Sequence, residues 1–328
     1  MNHNVKILII RFSSIGDIVL TTPVIRCLKE QLEGEVEIHF LTKKSYEILL
    51  ENNPYISKVH TIDKSTNEVI EQLKSESFDY IVDLHKNLRS SRVKRKLEGF
   101  SFSFDKLNWQ KWLYVNLKVN KLLKVHIVDR DLESVKALGV TNDGKGLDYF
   151  LPENFSTSKF LPPGFNSGFV AVVLGATHAT KRLPKHQLQQ LIHQINQPIV
   201  LIGGPEDSVL GEKLAQSDQN KIFNAAGKTN LNESAAIIKV ALAVVTHDTG
   251  MMHIASAFQK KIISIWGNTV PDFGMYPYLN QSNKNTFKVI ENKEINCRPC
   301  SKIGFDKCPK GHFKCMEDLD IKAVAESI

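Results

Sequence analysis

Ala243-Val244-Val245-Thr246-His247-Asp248-Thr249-Gly250-Met251-Met252-His253-Ile254-Ala255-Ser256-Ala257 joins an apolar run to a tight polar turn and then to a small-residue apolar segment. That order predicts a buried strand, a short loop and the first turns of a buried helix. Asp248 and Thr249 are residue types that cap helices, and Gly250 lets a ligand come close to the backbone. The first amides of such a helix, with the positive end of its dipole, suit a phosphate. An ordinary capped helix of an α/β domain reads the same way, because such turns do not by themselves fix a function.

Outward from this stretch the same alternation repeats. Val5 to Ile10 reads as a buried strand, Arg11 to Gly16 as a loop, and Asp17 to Leu32 has helical spacing with Gly34 as its stop. Strands follow at Val36 to Leu41, Val59 to Ile62 and Tyr80 to Leu84, with helices beginning at Tyr46 and Asn67. Asn142 to Pro163 is rich in Gly, Pro, Ser and Asn and reads as an interdomain linker. The alternation then restarts with strands at Phe169 to Leu174, Pro198 to Ile202, Ile222-Phe223 and Lys261 to Trp266, and Glu317 to Ile328 reads as a closing helix. Strands alternating with helices imply an open parallel sheet with helices on both faces. The expected fold class is therefore α/β, with two domains at residues 1–160 and 161–328 and a ligand cleft between them.

The 328 residues, 42% hydrophobic and 23% charged, describe a globular protein with room for two domains. No apolar run reaches bilayer length, and Met1 to Lys6 lacks the pattern of a signal peptide, so a cytoplasmic location is expected. Forty-two Lys and Arg against 35 Asp and Glu give a charge of +7, which favours acidic partners such as a nucleotide, a phosphorylated substrate or an anionic membrane. Lys106 to Lys124 interleaves Trp109, Trp112, Leu113, Tyr114, Leu117, Leu122 and Leu123 with five lysines. It reads either as a helix lying on an anionic membrane or, preferred here, as an amphipathic helix whose apolar side is core. No Gly-x-Gly-x-x-Gly follows a strand, and Gly227-Lys228-Thr229 lacks the upstream glycine of a P-loop, which argues against dinucleotide redox and P-loop chemistry.

Several motifs could carry chemistry. In Arg11-Phe12-Ser13-Ser14-Ile15-Gly16-Asp17, at the end of the first strand, Asp17 is either a first-turn carboxylate favoured by the dipole or a general base. Gly175-Ala176-Thr177-His178-Ala179-Thr180-Lys181-Arg182-Leu183-Pro184 places two adjacent cations in a loop suited to a diphosphate, or is simply a solvated loop. Asp129-Arg130-Asp131 has the spacing of a metal-binding carboxylate pair, but Asp131 reads better as a helix N-cap. Cys27 stands alone as a core residue. Cys297, Cys300, Cys308 and Cys315 share a short loop and can hold zinc, although only the first pair has close spacing, and reduced structural thiols or disulfides are the alternatives.

Taken together these motifs resemble the heptosyltransferases of glycosyltransferase family 9, which build the inner core of lipopolysaccharide. The resemblance rests on Ser14-Ile15-Gly16-Asp17, Asp83-Leu84-His85-Lys86-Asn87-Leu88-Arg89-Ser90, Thr180-Lys181-Arg182-Leu183-Pro184, the His247-to-Ala255 stretch and the Cys-x-Pro-Cys tail, in that order. It implies two Rossmann-like domains in the GT-B arrangement, facing each other across the cleft. It also implies a nucleotide-sugar donor in the C-terminal half, an acceptor in the N-terminal half, inversion at the anomeric carbon and no required cofactor. By the resemblance Asp17 is the base, Lys181 the donor-phosphate cation, and Asp248, Thr249, Gly250 and His253 the donor-binding turn. His85 and Arg89 are candidates for the acceptor side. Arg182-Leu183 stands where other members often carry an aromatic before the proline. The implied partners are an ADP-heptose-type donor and an anionic glycolipid or sugar acceptor, with peripheral contact at the inner membrane face. Two readings compete: a nucleotide-sugar epimerase on the same fold, and a zinc-stabilised nucleic-acid-binding protein. The second is disfavoured because the basic residues are dispersed and no aromatic–basic RNA motif appears.

Overall fold

A computed structural model describes residues 4–153, 155–165, 168–283 and 286–328. Residues 1–3 of the Met1-to-Lys6 stretch, and Asn154 within the predicted linker, lie outside the described residues. The chain forms two compact units: Met1–Lys106 with Val125–Pro152, and Leu107–Lys124 with Glu153–Ile328.

The first unit holds β1 (Asn4–Ile10), β2 (Glu35–Lys43), β3 (Lys58–Ile62), β4 (Tyr80–Asp83) and β5 (Phe100–Ser103) in the parallel order β3-β2-β1-β4-β5. Ile7 to Ile10 are fully buried, because a parallel sheet covered by helices hides both faces of its central strand. Its helices are α1 (Ile15–Val19), α2 (Thr22–Gln31), α3 (Ile70–Glu76) and α4 (Leu88–Leu97); α5 (Asn108–Leu117) belongs to the other unit, and α6 (Ile127–Glu133) returns to this one.

The single helix expected over Asp17 to Leu32 is two. Pro23 has no N–H to offer the Val19 carbonyl. The Thr22 hydroxyl donates to that carbonyl at 2.7 Å, and the Thr21 hydroxyl donates to Ile18 O at 2.7 Å. Asp131 is not the N-cap either: α6 begins after His126, whose Nδ1 accepts from Val128 N, and Asp131 is buried in the helix. The beginning of the expected linker is tied down. Arg26 on α2, 2% exposed, donates to both carboxylate oxygens of Asp143 at 2.7 and 2.9 Å, to Gly146 O at 2.8 Å and to Asp148. Arg26→Ala would leave two partly buried carboxylates without a cation, so it should destabilise this unit by about 3–5 kcal/mol. A urea midpoint shifted by less than the equivalent of about 1 kcal/mol would refute that.

The second unit holds β6 (Val170–Val173), β7 (Ile199–Ile202), β8 (Ile222–Asn224), β9 (Ala243–His247), β10 (Lys261–Trp266) and β11 (Phe287–Glu291) in the parallel order β11-β10-β9-β6-β7-β8. Its helices, besides α5, are α7 (Lys185–Gln194), α8 (Ser208–Ala215), α9 (Leu231–Val240), α10 (Gly250–Ala257), α11 (Lys314–Glu317) and α12 (Ile321–Ala325). β6, β7 and β9 are buried along their whole length. Strand order reverses between β1 and β4 in one unit and between β6 and β9 in the other, and ligands bind beyond the strand ends at such switch points. α5 contradicts the core reading of Lys106 to Lys124. None of its residues is buried, and Trp109 is 65% exposed.

Candidate active site

The opening stretch folds as predicted into β9 and α10, and strand order brings a cation to its turn. β6 and β9 are neighbours, so the loop after β6 reaches the end of β9. Its 3-10 turn, Ala179–Lys181, carries Lys181, whose Nζ lies 2.6 Å from Asp248 Oδ2 and 3.3 Å from Asp248 O. Thr269, just beyond β10, donates its hydroxyl to the same carboxylate oxygen at 2.9 Å. Thr249 is the N-cap residue of α10, but its hydroxyl lies 3.3 Å from Thr246 Oγ1 and does not cap a helix amide. The first turn of α10 contains no acidic side chain, and the carboxylate just before it, Asp248, is balanced by Lys181. His253 sits one turn into the helix and is buried.

The second cation of the loop is engaged elsewhere. Arg182 Nε donates to Ala176 O at 2.7 Å, and its Nη1 lies 3.1 Å from Asp207 Oδ1. Asp207 is buried and also accepts from Gly204 N at 3.0 Å. It fits between the ends of β6 and β7 because Gly175 and Gly203 lack a Cβ; one on Gly203 would stand 2.7 Å from the Asp207 Cβ. Of the two adjacent cations, Lys181 reaches the β9–α10 turn and Arg182 is drawn to Asp207. His247 holds the loop to β9, its Nε2 accepting from Leu183 N at 3.0 Å. Thr269, Asp207 and His247 were not singled out from sequence. The apolar-to-polar change at the end of β9 was the one available hint for His247.

In the first unit Asp17 lies in the first turn of α1, beyond the end of β1. Its Oδ2 accepts from Ser14 N at 3.0 Å and from Ser14 Oγ at 2.7 Å, and its Oδ1 pairs with Arg11. Arg11 is itself fixed through Nε to Ser13 O at 3.0 Å and through Nη1 to Leu84 O. His85 follows β4 across the switch point and packs edge-on against Phe12 at 5.2 Å. Its Nδ1 is buried and has no hydrogen-bond partner among the described residues. Arg89 is exposed in the first turn of α4, whose N-cap Asn87 accepts from Arg89 N and Ser90 N. Asp17 and His85 therefore share one end of one sheet, and Arg11 is the cation that sequence reading passed over beside them.

The cysteine loop is held chiefly by one buried arginine. Arg298 donates to Thr269 O at 2.8 Å, to Asn292 O at 2.7 Å, to Gly267 O and to Glu291 Oε2 at 2.9 Å, and Cys300 N donates to Asn268 O at 3.0 Å. Burial pushes the Cys300 thiol up to about 11 and the Cys315 thiol up to about 12. Cys297 Sγ faces His312 Nε2 at 3.8 Å, and all five cysteines are free. Among the described residues no three of these thiols come within 4.8 Å of one another. His39, His60 and Glu76 do meet that spacing. However, Glu76 is paired with Lys58 at 2.6 Å and Lys6 at 3.5 Å, and the two imidazoles hydrogen-bond each other at 3.0 Å. Two ammonium groups on the carboxylate oppose a third cation.

His60, His85 and His247 are each held at about 4 rather than 6.5, burial being the leading cause in every case. Because the folded state keeps them neutral, the unfolded chain takes up their protons first as pH falls below about 6.5. Their contribution to stability is complete above that pH and is lost on the way down to about 4. Each fully buried histidine should cost about 1 kcal/mol between about pH 7 and 5.5, before most carboxylates titrate. A denaturation midpoint that does not fall over this interval would contradict the assignment.

A model of glycosyltransferase family 9 (heptosyltransferase) matches residues 67–304. Lipopolysaccharide heptosyltransferase 1 of Campylobacter coli is 26% identical over 321 residues, which cover 89% of this chain and 89% of that protein. The structure of E. coli ADP-heptose lps heptosyltransferase II aligns with a TM-score of 0.73 at 20% identity, covering 98% of this chain and 97% of the other. E. coli heptosyltransferase WaaC with ADP-2-deoxy-2-fluoro heptose aligns with a TM-score of 0.68 at 18% identity over 98% of each chain. The two doubly wound units have the α/β GT-B fold of these structures.

Proposed function

Since this chain belongs to glycosyltransferase family 9, the heptosyltransferases, we propose that it moves a heptose from an ADP-heptose-type donor to a lipopolysaccharide-core or related glycolipid acceptor. The observation that carries this reading is the Lys181–Asp248 pair at the N-terminus of α10, on the switch point of the second sheet. In this reading the diphosphate lies on the α10 amides with Lys181 beside it. Both stabilise the negative charge that builds as the bond from the anomeric carbon to phosphate breaks and its electron pair leaves with ADP. The acceptor hydroxyl attacks that carbon from the opposite face, so the configuration inverts. Its proton passes to Asp17, aided by the growing acidity of the hydroxyl as the new bond forms. Arg11 and Ser14 keep the Asp17 carboxylate in one orientation, and neutral His85 stands at the same end of the sheet as an uncharged neighbour on the acceptor side. Arg89, exposed on α4, suits an acidic group on the acceptor.

The reading needs no cofactor and no nucleic-acid partner, and it places the protein in the cytoplasm, peripheral to the inner membrane. No described helix is long and apolar enough to cross a membrane. ADP at about 100 times its dissociation constant should stabilise the protein by about 2.7 kcal/mol, visible as a thermal shift. The donor ADP-heptose should release ADP only when an acceptor is added. No shift with ADP or any other nucleotide diphosphate would overturn the donor assignment. Conversion of the donor sugar without acceptor would favour epimerisation.

A further inference from the structure

The two faces of α5 have opposite chemistry. At 100° per residue, Tyr114, Lys111 and Lys118 share one side. That side is attached to its own unit: the Tyr114 ring lies 6.1 Å from Phe273 and its hydroxyl 3.4 Å from Asp272 Oδ2. Lys111 Nζ stands 6.0 Å from the centroid of the Phe273 ring, and Lys118 Nζ donates to Cys297 O at 2.9 Å and Pro299 O at 2.7 Å. Trp109 and Trp112 point to the other side, stacked at 5.3 Å with their planes 6° apart, 65% and 46% exposed. Beyond the helix the chain leaves Leu117, Val119 and Leu123 exposed among Lys118, Lys121 and Lys124. From Lys106 to Val128 it contains five lysines and no Asp or Glu.

Two stacked, exposed indoles followed directly in the chain by exposed aliphatic side chains mark a contact surface. A second copy is a poor occupant, because a two-fold contact would set these lysines against the same lysines. A bilayer with anionic headgroups answers both halves of the patch: indole rings sit at the headgroup level, and lysines are drawn to the negative surface. We infer that the Trp109–Lys124 face docks this protein on an anionic membrane surface. The inference deepens the glycolipid reading of the acceptor and rests on it for its biological sense, but its test involves no sugar.

The full chain is mixed with vesicles of phosphatidylcholine, with or without about 30% phosphatidylglycerol, and sedimented at low and moderate salt. The protein should pellet with the anionic vesicles, less so as salt rises, and stay in solution with the neutral ones. Its tryptophan emission should shift to the blue; the third tryptophan, Trp266, is 1% exposed and contributes no change. Trp109→Ala with Trp112→Ala should lower partitioning at least about tenfold, and Lys121→Glu with Lys124→Glu should remove the preference for anionic lipid. ADP affinity, measured by calorimetry on each variant, should not change and serves as the test of folding. Wild-type protein that stays in the supernatant, or a double-tryptophan variant that partitions equally, overturns the inference. So does a concentration-dependent dimer, lost in that variant, without vesicle binding. Failure of the transferase reading would appear separately, as wild-type protein that binds no nucleotide yet still pellets with vesicles.

Discussion

Asp17→Asn lowers the turnover of sugar transfer by about 10²–10⁴-fold and leaves ADP affinity unchanged. The substitution keeps the size of the side chain and one oxygen to accept from Ser14 N and Ser14 Oγ. It removes the only proton acceptor assigned to the acceptor hydroxyl. Arg11 loses its carboxylate partner but stays bonded to Ser13 O and Leu84 O, so the loop after β1 keeps two of its anchors. Asp17→Ala should fall as far in turnover. The measurement is ADP release with saturating donor and acceptor, alongside calorimetric ADP binding as the control for folding. Near-normal turnover in both variants would remove Asp17 from the chemistry and leave it as the capping residue of α1.

Lys181→Ala should cost about 10²–10³ in transfer, and unlike the Asp17 variants it should weaken ADP binding as well. The lysine is three-quarters or more enclosed and sits 2.6 Å from Asp248. Without it Asp248 remains as an unbalanced carboxylate beside the position assigned to the diphosphate, still bonded to Thr269. Removing one partner of an enclosed pair generally costs more than removing both. The double variant Lys181→Ala with Asp248→Asn should therefore bind ADP better than Lys181→Ala alone. Calorimetric titration of the three proteins decides the matter. Wild-type affinity in Lys181→Ala would refute the phosphate role, and a double variant weaker than the single one would refute the repulsion.

The central strands were legible because burial on both faces of a parallel sheet leaves unbroken apolar runs such as Ile7 to Ile10 and Ala243 to Val245. β5 and β11 were not. They are edge strands, Phe100–Ser103 and Phe287–Glu291, partly exposed along their length, and their short mixed sequences carry little period. The break between α1 and α2 was readable in principle from Pro23, and the two threonines before it complete the signal. α5 went wrong for a different reason: a stripe of aromatics predicts that one helix face is apolar, not whether anything covers it.

By itself the sequence determined the strand–turn–helix units, their alternation, and the polar turns at Asp17 and Asp248 that end the first and ninth strands, since these follow from local spacing and residue type. Tertiary structure alone decided the partners. Lys181 and Asp248 are 67 residues apart, as Arg26 and Asp143 are 117 apart, and Arg182 turns from its neighbour Lys181 to the buried Asp207. Which strands lie side by side sets those meetings, and hydrophobic periodicity, which reaches only a few residues along the chain, carries no record of strand order.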